Sequence, residues 1–230
     1  MSTPFVPPLV VAVDGPSGSG KSSTARGVAQ RLGLAYLDTG AMYRAITWAL
    51  LERGVDLSDA ESIAKAAGDV VLRAGTDPVA PTIEADGVDV SGPIRGADVT
   101  SKVSVVAAVP EVRAILVEAQ RSAIAEAIAS AGNGIVVEGR DIGTAVAPDA
   151  PVKVYLVADA AARARRRASE LGHHDHGATQ EALARRDHLD SSRTASPLSM
   201  ADDAILIDGT DLTLDEVIDA VVALVEERRP

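Results

Sequence analysis

Apolar positions along the chain follow two periods, and the switches between them mark out its elements. Residues 9–13, LVVAV, form an unbroken apolar run with β-branched content and predict a short buried strand. A Gly/Ser-rich loop follows. From Lys21 the spacing turns helical and continues to Leu32, where Gly33 is suited to cap the end. Residues 34–37 predict a second strand. Asp38-Thr39-Gly40 then predicts a turn into a helix over 41–53, ending at Gly54, with Trp48 on the same core face as Met42, Ala45 and Leu51.

Residues 55–100 break this rhythm. Turn signals crowd at Asp77-Pro78, Pro81, Asp86-Gly87 and Gly92-Pro93. Residues 82–85 and 88–90 flank Asp86-Gly87, which predicts a hairpin, and 70–73 supplies a third strand. The segment reads as a small antiparallel insert. From 97 to 131 the pattern is helical, with a break near Pro110. Strands are predicted at 135–137 and 152–157, and Asp159 caps a helix rich in arginine. Another helix runs through Arg185 and Arg186 to about Arg193. A last strand at 204–207 and a helix over 214–227 close the chain.

Five strands alternating with helices predict an α/β fold, a parallel sheet with helices on both faces. The core is expected from 9–54 and 101–230, the insert from 55–100, and a loose tail from 1–8. In such sheets, ligand groups gather at the carboxyl ends of the strands. Segments 15–22, 38–44 and 138–141 follow strands and carry polar or charged residues beside glycines. They are predicted to converge on one cleft with the turn at Asp208.

Composition narrows the partners. The 230 residues are 47% hydrophobic and 24% charged, which suits a globular core. Aromatics make up only 2%, so Ala, Val, Leu and Ile must build that core. A net charge of −11 argues against a nucleic-acid partner and makes basic clusters more informative. Seven of the eighteen arginines fall within 163–193, which favours phosphate contact there. The absence of cysteine excludes disulfides and thiol chemistry and suits a reducing cytoplasm. No signal-peptide pattern or bilayer-length apolar stretch is present, so a cytoplasmic protein without a membrane partner is expected. His173, His174 and His176 lie in a polar loop and match no metal-ligand spacing.

The candidate chemistry begins at 15–22. Gly15, Pro16, Ser17, Gly18, Ser19, Gly20, Lys21 and Ser22 fit G-x-x-x-x-G-K-[ST] between a strand and a helix. Glycines let the backbone turn tightly and aim N–H groups inward, and the positive end of the helix adds to this anion site. Lys21 is placed to reach the β- and γ-phosphates of a nucleoside triphosphate, and the Ser22 hydroxyl to ligate Mg²⁺. Glu138 ends a buried strand, where an acid can hold a magnesium-bound water or order the Gly139 turn. The lone Asn133 is followed by Gly134, so the N-K-x-D guanine-reading motif is absent.

Taken together, the phosphate loop through Ser23, DTGAMYR (38–44), DVSGPIR (89–95), GRDIGT (139–144), the 163–167 arginines and RDHLDSSR (186–193) resemble the bacterial cytidylate kinase family. The resemblance spans the chain from Leu9 onward. It implies a P-loop kinase core, a monophosphate-binding insert at 55–100 and a helical lid at 163–193. It implies ATP and CMP or dCMP as substrates, Mg²⁺ with the ATP, and a monomer. Thr39, Tyr43 and Arg44 match the monophosphate-binding turn, and Arg44 and Arg140 the clamp on the acceptor phosphate. Ser104, Arg113 and Asp141 match the cytosine-reading set, and Asp190 the ribose-binding aspartate. Arg186 and Arg193 match lid arginines near the phosphates, and Arg163, Arg166 and Arg167 the donor side, with Arg165 left as a solvated residue.

The chemistry of the base agrees. Cytosine offers an amino donor with N3 and O2 acceptors, so Asp141 can accept while Arg113 and Ser104 donate. Uracil reverses two of these and would set a carboxylate against a carbonyl. Kinases of the same architecture with UMP, dTMP or shikimate as acceptor, and a non-catalytic nucleotide-binding module, are the alternatives.

Overall fold

The computed structural model describes residues 9–131, 133–171, 176–193 and 195–228. The expected tail at 1–8 and the histidines His173 and His174 lie outside the described residues.

The apolar runs become strands β1 (Leu9–Asp14), β2 (Ala35–Asp38), β6 (Gly134–Glu138), β7 (Val152–Val157) and β8 (Ile205–Asp208). They form one parallel sheet in the order β2-β6-β1-β7-β8. β1 lies at its centre, with Val11 beside Val136 on one side and Val152 on the other. The pleat then divides the core. Val11 and Val13 face helices α1 (Lys21–Leu32) and α8 (Leu214–Arg228), packing on Val28, Val217 and Val221. Ala12, Leu37 and Val137 face the opposite way, onto α2 (Thr39–Glu52) and α5 (Pro110–Ala131). Gly33 caps α1 in the left-handed conformation at φ 62°, its N–H turned back to the helix carbonyls.

The insert holds the antiparallel sheet expected of it: β3 (Leu72–Ala74), β4 (Ile83–Ala85) and β5 (Val88–Asp89), turning at Asp86-Gly87 with φ 53° and 78°. It also contains a helix that the turn signals obscured, α3 (Ala60–Gly68), capped by Asp59. Its apolar positions are short and Ala-rich, so the period is weak, and only burial of Ile63 and Ala67 against the core reveals its inner face. Ile83, Val90 and Ile94 join the same apolar cluster as Leu37 and Met42, so the core runs continuously into the insert.

The helical stretch after it divides as expected into α4 (Ala97–Ala107) and α5, which begins at Pro110, the position where proline is tolerated in a helix. α6 (Ala160–Leu171) and α7 (His176–Ser192) follow β7 and pair with each other beside the phosphate loop. Among the described residues no helix is long and apolar enough to cross a membrane.

Candidate active site

The loop at 15–22 leaves the central strand at its carboxyl end. Its glycines are required where the backbone is left-handed. Gly15 has φ 145°, and a Cβ there would lie 2.1 Å from the Leu156 carbonyl oxygen. Gly20, at φ 96°, precedes α1 and accepts the Thr24 N–H at 3.0 Å, closing the first helical turn. Lys21 follows, buried, with Nζ donating to the Pro16 carbonyl at 2.6 Å. The Ser22 hydroxyl donates to Glu138 Oε2 at 3.0 Å, and Tyr36 OH donates to the other oxygen. The hydroxyl and carboxylate placed together from separate strand ends are hard oxygen ligands of the kind Mg²⁺ takes.

The second strand-end segment is tied to the first. Asp38 caps α2 through the Ala41 N–H at 2.9 Å, and Thr39 Oγ1 donates to the Glu138 carbonyl at 2.7 Å. Arg44, one turn later, donates to the Ile94 carbonyl at 3.1 Å and to Thr100 Oγ1 at 2.9 Å, bracing the SGPIR turn. The third segment is held by Asp14, a residue the sequence reading left unassigned. Its carboxylate accepts Ile142 N–H at 2.9 Å and Gly143 N–H at 2.8 Å. One acid at the end of β1 thereby docks the turn that carries Arg140 and Asp141. Burial raises the Asp14 carboxyl to about 6 even though the two amide bonds favour its ionised form.

These segments enclose two adjoining cavities. The first is lined by Lys21, Ser22, Ser23, Arg44, Arg95, Arg140, Arg167 and Arg186, with Asp38 and Glu138 at its edge. The second is lined by Thr39, Tyr43, Ser104, Asp141, Asp190 and Arg193, and Arg140 and Arg186 belong to both. The first cavity is crowded with positive charge. Burial, then Arg140, lowers the Lys21 ammonium to about 7. Arg186 is pushed down to about 9 by burial, then by Arg140 and Arg44. Burial, then Asp38, raises the Glu138 carboxyl to about 7. Cations held against one another inside an acidic protein make a site for a polyanion.

The second cavity has a different chemistry at its far end. Arg113, nearly sealed from solvent, donates through Nη2 to Asp141 Oδ2, and Arg193 Nη2 stands 3.6 Å from Asp141 Oδ1. The Arg113 guanidinium lies over the Tyr43 ring at 5.3 Å. Asp190 accepts from Arg140 Nε at 2.9 Å and from Ser104 Oγ at 3.3 Å. Against the cost of burial, Arg140 and then Arg186 hold its carboxyl below the usual range.

The placements refine the sequence reading in two respects. Arg193, expected near the phosphates with Arg186, lines the second cavity together with Arg186 and stands beside Asp141. Arg163 and Arg166, expected to face a donor nucleotide, brace the loop's own carbonyls, donating to Ser17 O at 3.0 Å and Ser19 O at 3.1 Å. Asp187 completes the brace by accepting Ser17 N–H at 3.0 Å and pairing with Arg163. Arg167 lines the first cavity, and Arg165 is exposed. Asp187 sat within the RDHLDSSR run but had no spacing rule to mark it; Asp14 carried the signal of a lone acid closing an apolar strand.

A central parallel strand that opens into a glycine loop and a helix N-terminus, with arginines bridging to a second cavity, defines a P-loop kinase. A model of the cytidylate kinase family matches residues 11–227. The cytidylate kinase of Streptomyces avermitilis is 58% identical over 97% of this chain and 95% of its own length. Those of Nocardia farcinica and Corynebacterium glutamicum are 53% and 48% identical, over 96% and 95% of this chain and 95% and 94% of their own lengths. The chain belongs to the cytidylate kinase family.

Proposed function

We propose that this protein transfers the γ-phosphoryl group of ATP to CMP or dCMP, releasing ADP and the corresponding diphosphate. The observation that carries this reading is the pair of cavities joined at Arg140 and Arg186, one lined with cations and the other reaching Asp141, behind which Arg113 is buried and paired with it. The triphosphate belongs on the N–H groups of 15–22, with Lys21 on its β- and γ-phosphates.

In the second cavity Asp141 accepts the cytosine amino group, and Arg113 and Ser104 supply donors to the base. Asp190, held by Arg140, faces the ribose. Thr39 and Arg44 shape the acceptor-phosphate end, and Tyr43, beneath Arg113, reaches toward the base. Arg140 and Arg186 span the boundary, so the acceptor oxygen and the γ-phosphorus meet between them. The acceptor phosphate is already ionised near neutral pH, so its oxygen attacks without a general base. A new P–O bond forms as the bond to the β–γ bridging oxygen breaks, and that oxygen leaves on ADP. The two arginines hold the reactants in line and neutralise the charge shared among three phosphates. α7, bonded down through Asp187 and Asp190, excludes water from this boundary.

Ser22, and Glu138 through a water, suit Mg²⁺. Among the described residues no cluster of three acidic or histidine side chains could hold a metal without the nucleotide. Held there, the ion would supply positive charge to offset that of the phosphates.

An acceptor panel with ATP tests the proposal. Rapid ADP formation with CMP and dCMP, and little with UMP, dTMP, shikimate or water, is expected. Equal rates with UMP would overturn the base assignment. Nucleotide binding without acceptor-dependent turnover would leave a binding module.

A further inference from the structure

One buried polar side chain near the second cavity has no part in the functions described so far. Gln120 sits in the middle of α5 and is 1% exposed. It is seven residues beyond Arg113, about two helical turns, so both side chains leave the same face of the helix. It does not line the cavity. Its amide faces the hydroxyl of Tyr43, which does. Among the described residues, neither Gln120 Nε2 nor Tyr43 OH completes a hydrogen bond, although both are shielded from water.

A buried amide nitrogen without a partner is disfavoured against an apolar side chain of the same volume, so its presence requires an explanation. Leu or Met would fill this space between Leu116 and Ile124 more cheaply. Tyr43 supplies the reason. Burial raises its hydroxyl to about 12, so the phenol stays neutral and its oxygen can accept one hydrogen bond while its proton is donated elsewhere. The Tyr43 ring is also the surface beneath the Arg113 guanidinium. A small rotation that closes the Gln120–Tyr43 contact therefore fixes the plane on which Arg113 rests, and Arg113 in turn bonds Asp141.

We propose that Gln120 is a positioning residue for base recognition: by donating from its amide to the Tyr43 oxygen, it sets the ring that orients the Arg113–Asp141 pair. This rests on the reading of that pair as the cytosine contact. Gln120 touches neither substrate nor phosphate, so its effect should fall on the monophosphate and not on ATP.

The test uses full-length Gln120→Leu, with the less branched Gln120→Met guarding against a packing fault, alongside Tyr43→Phe and the double variant. KM for CMP is expected to rise about three- to tenfold, the effect of one hydrogen bond, with kcat within about twofold. KM for ATP should not change, and the preference for CMP over UMP should fall by a similar factor. The double variant should be no worse than the more impaired single variant, because both break one contact. A merely structural amide would shift the thermal midpoint and leave KM for CMP and the base preference in place. Wild-type values of both in either folded variant would overturn the proposal, and so would loss of the fold in both. Failure of the wild-type protein to phosphorylate CMP would overturn the functional reading, and this inference with it.

Discussion

Arg140 and Asp190, fifty positions apart, meet with Nε 2.9 Å from Oδ2, and the same guanidinium reaches the Gly15 carbonyl at 3.3 Å. One side chain thus connects the start of the phosphate loop, the turn after β6 and helix α7. It stands where the two cavities join. Its planar fork can hold both neighbours and a phosphate oxygen, an arrangement a point-charge ammonium cannot reproduce.

Arg140→Lys tests that geometry. The charge is retained but the fork is lost, and kcat should fall by about two to three orders of magnitude, as for removal of a charge-stabilising group. Steady-state kinetics with ATP and CMP, beside a thermal melt, will decide. A kcat within a few-fold of wild type would show that charge alone suffices.

Lys21→Ala removes the one lysine that, among the described residues, lines either of these two cavities. Because the Lys21 ammonium is buried among arginines and disfavoured there, the variant should fold at least as well as wild type while losing turnover by orders of magnitude. Parallel melts and ADP-release assays measure the two effects separately. Retained turnover would remove Lys21 from the reaction.

Asp141→Asn exchanges an acceptor for an acceptor and a donor at the base. The preference for CMP over UMP should narrow by at least about tenfold, since uracil no longer meets a carboxylate. The buried Arg113 loses its full ionic partner, which should cost about 3 kcal/mol of stability. Competition assays with both monophosphates, at a temperature where the variant is folded, read the preference. An unchanged ratio would move base selection away from Asp141.

Asp14 should leave a signature in the pH dependence of stability. Its folded carboxyl is raised from 3.8 to about 6, so between those values the folded state binds more protons than the unfolded state. Its contribution is full below the lower value and falls as pH rises through the upper one. Asp14→Asn does not titrate there, so its midpoint should gain on that of wild type from about pH 4 to pH 6. Denaturant melts across that range provide the comparison. A constant difference would mean that Asp14 keeps an ordinary affinity for its proton. The variant's clash with one of the two amides, at Ile142 or Gly143, should also weaken CMP binding at every pH.

The sheet was legible because its signals are local. Unbroken apolar runs mark buried parallel strands, and glycines with Lys21 and Ser22 mark a phosphate loop from eight consecutive residues. Helix α3 was not legible, because a short Ala-rich segment among turn residues carries little period and is selected by its packing. Arg44, Arg140 and Asp141 could be placed because each follows a strand end.

Side-chain direction was another matter. Whether an arginine on α6 meets a nucleotide or a loop carbonyl depends on which atoms stand opposite, and those come from residues more than a hundred positions away. The same holds for Arg193 beside Asp141, and for Asp14 and Asp187, whose partners include backbone amides. The sequence by itself determined the parallel sheet, the phosphate loop and the chemistry available at the strand ends, because propensity and period act over a few residues. Only the tertiary structure decided which charges line the two cavities and which brace the loops around them, because that follows from long-range packing and from the pairing of buried polar groups.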